Sequence, residues 1–550
     1  MKLPRHGGAN RHISAADPFP QVDSLTDARR IVTVACWILL AAVGLTGCSF
    51  ADDSGGVPVT AQPASPRSAE GLNAPIAWTG CGERLECARV RVPLDWDRPH
   101  GRKMGLAVIR HLASRPAQRI GSMFINPGGP GESGVGFVRG AGQDLDSWGD
   151  GRFDIVSWDP RGTYASSPVR CFRSGRSEAK FWRGASIPNT IAASRRFRTK
   201  TANLARRCGE VSGWLLPHIS TADTARDLDY LRGLVGERKL TYVGLSYGTF
   251  LGQTYANMFP RRVRAMVLDG IVDPVKYSKG AEARVGGSVS SSDQVFEKFL
   301  SLCEGAGPTR CALAGRPRRP AKLVKALFRL VKRAPIPAPS ARPPGELSYG
   351  DLLLSQFEPI RSPESWPKDA ASLNSALGGN GSALETEARK LLTAQAWSGV
   401  TTSAAISCAD APAVRGSHSW PQVIGRLNRI SYLQGEIQGW WLWAPCASWP
   451  VRGSDSYRGP WGASTPNPIL LIGTRYDPNT GYANAVRSQH LLGNAVLLTN
   501  EGYGHLSIQD PSECVDQART KYLVDLIAPP EGTVCQSDQQ PFDPGFGSVP

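Results

Sequence analysis

The chain has 550 residues, of which 41% are apolar and 20% are charged. A chain of this composition can bury a sizeable core, which excludes disordered, collagen-like and multi-span membrane proteins. The 63 basic and 47 acidic side chains give a formal charge of +16, yet we find no zinc-finger spacing or RNA-recognition signature and expect no nucleic-acid partner.

A mostly apolar run, Ile31–Leu45, lies close to the amino terminus and follows two arginines. Its 15 residues fit the hydrophobic region of a signal peptide, whereas a membrane span needs about 20. The run ends in the sequence LTGC, which resembles the lipobox of bacterial lipoproteins. We therefore expect cleavage of residues 1–47 and a lipid on Cys48. An ordinary cleavage site beside an incidental cysteine is the alternative.

Residues 48–75 contain a stretch rich in Ser, Pro, Gly and Ala, which is typical of a flexible tether. With a lipid on its first residue, this tether would hold an exported protein on the outer face of the cell membrane. Release to the outside of the cell is the other expected location. The membrane surface is then one expected partner, and we expect a monomer.

Ten of the 12 cysteines lie beyond Cys48. An even number in an exported chain predicts disulfides, here five, because the compartment is oxidising. No Cys-x-x-Cys or His-x-x-x-His spacing occurs, so we expect no structural metal. Sequence alone does not fix the connectivity. Nearest-neighbour pairing gives Cys81–Cys87, Cys171–Cys208, Cys303–Cys311, Cys408–Cys446 and Cys514–Cys535.

Short, β-branched apolar runs, separated by turns or helical segments, begin near Ala88. Strands that alternate with helices predict a mostly parallel sheet covered on both faces. This pattern is that of an α/β-hydrolase fold. The predicted strands are Val90–Leu94, Met104–Arg110, Ser122–Asn126, Phe153–Trp158, Leu240–Leu245, Val263–Leu268, Ile469–Gly473 and Ala495–Thr499.

The alternation of strands and helices is interrupted between two parts of the predicted core, 76–274 and 466–536. Residues 275–465 contain helix-like stretches, a proline-rich link and clustered tryptophans, which indicates an inserted, largely helical cap domain. Residues 537–550 form a tail. We expect the tryptophan-rich cap to roof the nucleophile and leave a closed pocket.

One basic segment of the cap, Arg316–Arg333, holds eight basic residues and no acid. Leu323, Leu327, Leu330 and Val331 recur at helical spacing along it, opposite basic side chains. The pattern predicts a helix with a solvated basic face. Contact with an acidic envelope surface is the alternative.

The predicted strand Leu240–Leu245 leads into the only Gly-x-Ser-x-Gly of the chain, with Ser246 at its centre. A helix-like segment follows until Pro260, so the motif lies in a strand–turn–helix that exposes a serine nucleophile. Glycines fit at 244 and 248 because the sharp turn leaves no room for side chains. The positive end of the helix would also point at a developing oxyanion.

A serine hydroxyl needs a general base, and in this fold an acid and then a histidine follow the serine along the chain. Three histidines follow Ser246. His418 lies in the cap, and His490 lies in a helix-like stretch where a surface position is simpler. His505 follows the last strand on a small-residue loop, and it is the predicted base.

The acid partner should lie at the end of an earlier strand. Ile469–Gly473 leads through three residues to Asp477, which would hold the imidazole tautomer and stabilise the imidazolium. Asp269, directly after the strand Val263–Leu268, is the alternative.

Acyl transfer needs donors aimed at the oxygen of the tetrahedral intermediate. The sequence NPGGPG at 126–131 follows the third predicted strand, where an oxyanion loop belongs. The backbone N–H groups of Gly129 and Tyr247 are the candidates. A plain Gly/Pro turn is the alternative.

Five segments together resemble the tripeptidyl aminopeptidase and proline iminopeptidase branch of the α/β-hydrolases. They are NPGGPGESGVG at 126–136, DIVSWDPRG at 154–162, 242–252, VLDGIVDP at 267–274 and 477–480. The resemblance extends over 81–535 and implies Ser246, Asp477 and His505 as a triad. It also implies cleavage of short peptides from a free N-terminus, while some members are carboxylesterases. Two positions depart from the branch: Tyr164 stands where glycine is usual, and Gly481 where proline is usual.

We predict an exported serine exopeptidase that works through an acyl-enzyme and needs no cofactor or metal. An acid able to hold the substrate ammonium would favour a peptidase, and Glu132, beside the oxyanion loop, is the candidate. A solvated loop acid is the alternative interpretation of Glu132. A carboxylesterase with the same triad is one alternative function. An inactive hydrolase scaffold that serves as an envelope binding protein is the other.

Overall fold

The computed structural model describes residues 75–410 and 420–546. The predicted signal peptide, Cys48, nearly all of the tether, His418 and the last four residues of the tail lie outside the described residues. Within the two described ranges, no helix combines the length and the apolar character that crossing a bilayer requires.

Twelve strands are found in the described part of the chain. They are β1 Thr79–Gly82, β2 Leu85–Pro93, β3 Lys103–His111, β4 Gly121–Asn126, β5 Phe153–Trp158, β6 Leu240–Leu245, β7 Val263–Asp269, β8 Ile336–Ala338, β9 Gly345–Leu347, β10 Ile469–Tyr476, β11 Ala495–Tyr503 and β12 Val534–Gln536. Ten of them form one sheet in the order β1-β2-β3-β5-β4-β6-β7-β10-β11-β12. β1, β2 and β3 pair antiparallel with their neighbours, and the pairs from β5 to β12 are parallel. The predicted α/β-hydrolase fold with a mostly parallel sheet is confirmed.

All eight predicted strands are present. β10 and β11 continue past their predicted ends to Tyr476 and Tyr503, which brings them close to Asp477 and His505. β1, β8, β9 and β12 were not predicted because each has only three or four residues and no alternating apolar pattern.

Helices follow most strands and also fill the segment between β7 and β10. Before that segment lie α1 Gly134–Ser147, α2 Gly175–Trp182, α3 Ile191–Ser212, α4 Thr221–Leu234 and α5 Tyr247–Met258. Within it lie α6 Pro274–Lys279, α7 Ala281–Ser288, α8 Ser292–Ala306, α9 Pro320–Arg333, α10 Tyr349–Ser355, α11 Trp366–Leu377, α12 Ser382–Lys390, α13 Ala394–Asp410, α14 Trp420–Ile430, α15 Gly435–Gln438 and α16 Ala444–Cys446. After it come α17 Tyr482–Leu491 and α18 Glu513–Asp525.

The sheet is covered on both faces, as β6 illustrates. Successive side chains of a strand point to opposite faces, and Tyr242 and Val243 accordingly belong to different apolar clusters. Val243 packs in the cluster that contains residues of α1 and α18. Tyr242 packs in the larger cluster, which contains residues of α4 and α5 and continues into the helices between β7 and β10.

The basic segment forms α9, as predicted. Val324, Leu327, Phe328 and Val331 are buried, and the lysines and arginines of the helix are exposed. Leu330 departs from the prediction, since 53% of it is exposed. It lies next to Arg329, on the edge of the solvated basic face.

The ten described cysteines form five disulfides, and each pairs with its nearest neighbour in the chain. They are Cys81–Cys87, Cys171–Cys208, Cys303–Cys311, Cys408–Cys446 and Cys514–Cys535. The fourth joins α13 to α16, and the fifth joins α18 to β12.

Candidate active site

Ser246 stands alone between the end of β6 and the start of α5. Its backbone has φ 53° and ψ −120°, a conformation that non-glycine residues rarely adopt and that clusters at functional sites. The turn is so tight that a Cβ on Gly244 would lie 2.4 Å from the carbonyl oxygen of Gly248. A Cβ on Gly248 would lie 2.6 Å from the carbonyl oxygen of Asn126. Glycine is therefore required at both positions.

The structure brings the three predicted triad residues together. His505 Nε2 lies 2.9 Å from Ser246 Oγ. On the other side of the ring, Nδ1 lies 3.0 and 3.1 Å from the two carboxylate oxygens of Asp477. The exposed fractions of Ser246, His505 and Asp477 are 7%, 2% and 0%. A proton can thus pass from the Ser246 hydroxyl to the His505 ring, whose orientation Asp477 fixes.

Backbone and hydroxyl donors hold the Asp477 carboxylate. The N–H groups of Asn479 and Thr480 donate to Oδ1 at 2.7 and 2.8 Å, and the Thr480 hydroxyl donates to Oδ2 at 2.7 Å. Burial opposes ionisation, but the His505 ring and these donors keep the pKa of Asp477 below its usual value. Burial lowers the pKa of His505 in turn, so the ring is neutral and can accept a proton at neutral pH.

The alternative acid does not contact the histidine. Asp269 accepts hydrogen bonds from the backbone N–H of Ser507 at 3.1 Å and from its hydroxyl at 2.7 Å. It therefore fixes the loop that carries His505. His490 is exposed on α17, which agrees with the surface position expected for it.

The two oxyanion candidates border the same space next to Ser246. Tyr247 is the first residue of α5, and N–H groups of the first helical turn have no partner inside the helix. The glycine-rich loop approaches this helix end closely, since a Cβ on Gly128 would lie 3.1 Å from the Tyr247 nitrogen. Gly129 and Tyr247 thus border the space next to Ser246, and their role as oxyanion donors stays a prediction.

A pocket opens at Ser246, and the segment between β7 and β10 supplies part of its wall. The lining residues are Gly129, Ser246, Tyr247, Val272, Tyr277, Arg284, Ser288, Gln438, Asn479 and Thr480. Sequence reasoning missed Tyr277, Arg284, Ser288 and Gln438, which belong to no motif and carry no signal in the sequence.

The described side chains do not meet the expectation that tryptophans roof the nucleophile, because none of the described residues that line this pocket is a tryptophan. Trp440 packs edge-on against Phe197, and Trp441 packs against Trp397. Trp397 stacks on Trp182 with ring centroids 4.1 Å apart. These large rings bury one another, so they attach the inserted helices to α2 and α3 instead of facing the substrate.

Glu132 is not among the residues that line this pocket. It is half-buried, and burial raises its pKa to about 8, a shift that Arg361 opposes and Glu358 increases. Arg361 is buried, and its guanidinium lies 3.7 Å from the Glu358 carboxylate. With its side-chain amide correctly oriented, Asn479 accepts two hydrogen bonds of 3.2 Å from Arg361. Asn479 lines the pocket, so the group formed by Glu132, Glu358 and Arg361 adjoins the pocket wall.

Each position that departs from the tripeptidyl aminopeptidase pattern has a local consequence. Tyr164 has φ 33°, a backbone conformation that glycine adopts freely and tyrosine does not. Burial raises the pKa of its phenol, and the charge of Glu132 adds to this shift. A Cβ on Gly481 would lie 2.7 Å from the Ser291 hydroxyl oxygen. A larger residue at 481 would therefore displace Ser291. Glycine avoids this clash.

Comparison with known proteins shows which family this chain belongs to. The TAP-like protein family model matches residues 435–535. The serine protease Hip1 of Mycobacterium tuberculosis is 32% identical over 527 residues, which cover 91% of this chain and 97% of that protein. Carboxylesterase B of the same organism is 30% identical over 88% of this chain and 96% of its own length. A tripeptidyl aminopeptidase of Streptomyces lividans is 29% identical over 83% of this chain and 86% of its own length. The chain therefore belongs to the TAP-like family of α/β-hydrolases and is a serine hydrolase.

Proposed function

We propose that this protein is an exported serine exopeptidase that releases short peptides or single residues from free N-termini. Ser246 is the nucleophile, His505 the general base and Asp477 the residue that orients the ring. The helices at 275–465 act as a cap over the site. A lipid on Cys48 holds the enzyme at the outer face of the membrane.

In the first half of the reaction, the Ser246 oxygen attacks the scissile carbonyl while its proton passes to His505 Nε2. Asp477 stabilises the imidazolium that forms. The N–H groups of Gly129 and Tyr247 stabilise the oxyanion of the tetrahedral intermediate. His505 then protonates the departing amine, the C–N bond breaks, and the acyl group remains on Ser246.

In the second half, water attacks the acyl-enzyme and its proton passes to the same histidine nitrogen. The second tetrahedral intermediate collapses, the bond to the Ser246 oxygen breaks, and His505 returns the proton to that oxygen. The released acid is the N-terminal fragment of the substrate. His505 alternates between base and acid, as its 2.9 Å contact with Ser246 allows.

The observation that carries the preference for free amines is the charge balance at Glu132. Two half-buried carboxylates, Glu132 and Glu358, interact electrostatically with one guanidinium, that of Arg361. When both carboxylates are ionised, the group has a net charge of −1, and an uncompensated charge in a dry site is unfavourable. A substrate ammonium supplies the second cation. Burial is the main reason that the pKa of Glu132 is raised to about 8 and that of Glu358 to about 7, and a bound ammonium would oppose both shifts.

A carboxylesterase is the second candidate, because the triad and oxyanion donors serve esters as well as amides. The similarity to carboxylesterase B over 88% of the chain favours it. The charged group around Arg361 would then have no role in substrate binding, which is the point on which the two candidates differ.

A fluorogenic panel tests the proposal directly. Amino-acyl, dipeptidyl and tripeptidyl amides are compared with their N-acetyl forms and with simple esters, and Ser246→Ala gives the background rate. We expect N-acetylation to lower kcat/KM at least about tenfold, equivalent to about 1.4 kcal/mol. Equal rates on free and blocked peptides, or turnover of simple esters alone, would reject the exopeptidase in favour of the carboxylesterase.

A further inference from the structure

Two residues that line the pocket at Ser246 each have a buried polar atom with no hydrogen-bond partner among the described residues. These atoms are Nη2 of Arg284 and Oε1 of Gln438. Both residues line this pocket, and only 5% of Arg284 and 2% of Gln438 is exposed. Buried polar groups are almost always satisfied in folded proteins, so each exception requires an explanation. A substrate group that enters the pocket can supply both partners.

The surroundings of Arg284 favour a neutral acceptor over an anion. Its guanidinium lies over the Tyr277 ring, 3.9 Å from the centroid, an arrangement that fixes a planar cation. Asp410 attracts it at longer range, while the Asp410 carboxylate accepts hydrogen bonds from the Thr221 N–H and hydroxyl at 2.6 and 2.7 Å. Asp410 therefore compensates part of the positive charge, although burial still lowers the pKa of Arg284, and the donor Nη2 is not used.

The surroundings of Gln438 define the second half of the subsite. Its Nε2 lies 3.5 Å from the side-chain oxygen of Gln434, which is the N-cap residue of α15. Its Oε1 is left as an acceptor. Two residues of the pocket wall thus have an unpaired polar atom, a donor on Arg284 and an acceptor on Gln438. A peptide unit presents the complementary pair, a carbonyl oxygen and an N–H.

We propose that Arg284 and Gln438 bind one peptide unit in the acyl part of the substrate. Arg284 donates to the carbonyl oxygen of that unit, and Gln438 accepts from its N–H. The subsite therefore selects acyl groups that contain a peptide bond over simple acyl groups such as butyrate. This inference rests on the proposed exopeptidase activity, and it identifies residues that distinguish peptide from ester substrates.

A site built to hydrogen-bond a group strongly rejects an analogue that lacks it, since its buried polar atoms then stay unpaired. The sharpest probe is a fluorogenic dipeptidyl amide paired with its depsipeptide, in which oxygen replaces the internal N–H. The depsipeptide keeps the carbonyl for Arg284 but offers nothing to Gln438. A butyrate ester offers nothing to either residue.

The experiment measures kcat/KM of the full chain on these three substrates. We expect the wild type to prefer the dipeptide over the depsipeptide at least about tenfold, and Gln438→Met to reduce this preference to within about threefold. Arg284→Met should lower the ratio of dipeptide to butyrate turnover at least about tenfold. Arg426→Met is the matched control, because Arg426 pairs with Glu282 on α7 at 2.8 Å without lining the pocket. Its substrate ratios should stay within about threefold of the wild type.

Fluorophosphonate labelling of Ser246 and thermal unfolding show whether each variant is folded. If Arg284→Met does not fold, Gln438→Met and its depsipeptide comparison test the subsite alone. Unchanged preferences in folded variants of an enzyme that cleaves free-amine peptides would overturn this inference and leave the proposed function intact. A succinate ester preferred over butyrate, with the preference lost in Arg284→Met, would also overturn it, because an anion would then be the ligand.

If the wild type cleaves no peptide at all, the proposed function fails, and the subsite is tested with two esters. The acyl group of an N-acetylalanine ester contains one peptide unit, and that of a butyrate ester contains none. A preference for the former that Arg284→Met and Gln438→Met abolish supports the subsite in an esterase. Equal turnover of the two esters by the wild type overturns it.

Discussion

The backbone N–H of His505 donates a hydrogen bond of 2.8 Å to the carbonyl oxygen of Arg361. The inserted segment thus holds the loop of the general base from outside the sheet. The contact is possible because Gly504 has φ 91° and no side chain. A Cβ at this position would lie 2.7 Å from the same carbonyl oxygen.

We expect Gly504→Ala to lower kcat/KM at least about 100-fold, because a shift of about 1 Å at a catalytic group has effects of that size. Gly532→Ala is the matched control. Gly532 also has a positive φ, 78°, but open space around it, so its substitution adds strain without a clash. It should cost about 1–2 kcal/mol of stability and leave kcat/KM within about threefold. Similar kinetics for the two variants would show that the Arg361 contact does not position His505.

Substitution of the two candidate acids separates their roles. Asp477→Asn removes the charge that faces His505 Nδ1 and should lower kcat by about 10⁴, the loss known for the corresponding change in a serine protease triad. Asp269→Asn should have an effect smaller than about tenfold, because Asp269 bonds to Ser507 and not to the ring. Steady-state kinetics of the two purified variants decide between them. The reverse order of losses would assign the acid role to Asp269.

The parts of the site that could be predicted lie at the ends of parallel strands. Ser246, Asp477 and His505 follow β6, β10 and β11, and the carboxyl ends of parallel strands meet at one edge of the sheet. A motif with a strict steric requirement identified the first, and strand order then limited the choice of the other two. The order of these residues along the chain and the residue types in the turns were sufficient to predict the triad, because the sheet fixes the distances between the strand ends.

The parts that could not be predicted come from the segment between β7 and β10. Arg284 and Gln438 reach the pocket because α7 and α15 pack in a particular way, and the sequence carries no periodic signal for that packing. The contact of Arg361 with the His505 loop is made by a backbone carbonyl, which any residue could supply. The roles of Trp440 and Trp441 were misjudged because aromatic side chains pack against each other as readily as they line a pocket.

The Cys408–Cys446 disulfide should contribute more to stability than Cys303–Cys311. It spans 38 residues, compared with 8 for the shorter one, and chain entropy gives about 4 and about 2.5 kcal/mol for these loops. Urea unfolding of the two double-alanine variants tests the order. We also expect the variant without Cys408–Cys446 to lose activity, since α13 carries Asp410, which bonds to Thr221 beside the pocket. Equal stability of the two variants would contradict the loop-length argument.

The lipid expected on Cys48 can be tested in cells of a bacterium that processes lipoproteins. Mass spectrometry of the mature protein should place its N-terminus at Cys48 with a diacylglyceryl group. The protein should partition into the detergent phase, because the acyl chains bury apolar area in the membrane. Cys48→Ser should partition into the aqueous phase. A mature N-terminus elsewhere, or a wild type that stays in the aqueous phase, would refute the anchor.

The pH dependence of kcat/KM should differ between free-amine peptides and simple esters, because kcat/KM reports ionisations of the free enzyme and of the free substrate. An ester needs only neutral His505, whose pKa burial lowers from 6.5, so its acid limb should lie below pH 6.5. A free-amine peptide also needs ionised Glu132, whose pKa is about 8. Below that pH the carboxyl is protonated and neutral, and it does not attract an ammonium.

The acid limb for the peptide should therefore lie higher, toward pH 8. Its alkaline limb follows from loss of the substrate ammonium, with a pKa of about 8. The peptide profile is then a narrow bell, whereas the ester profile is a broad plateau. Glu132→Gln should lower peptide turnover at least about tenfold and move its acid limb down to that of the ester, since only His505 then titrates. Coincident acid limbs in the wild type would show that Glu132 does not bind the amine.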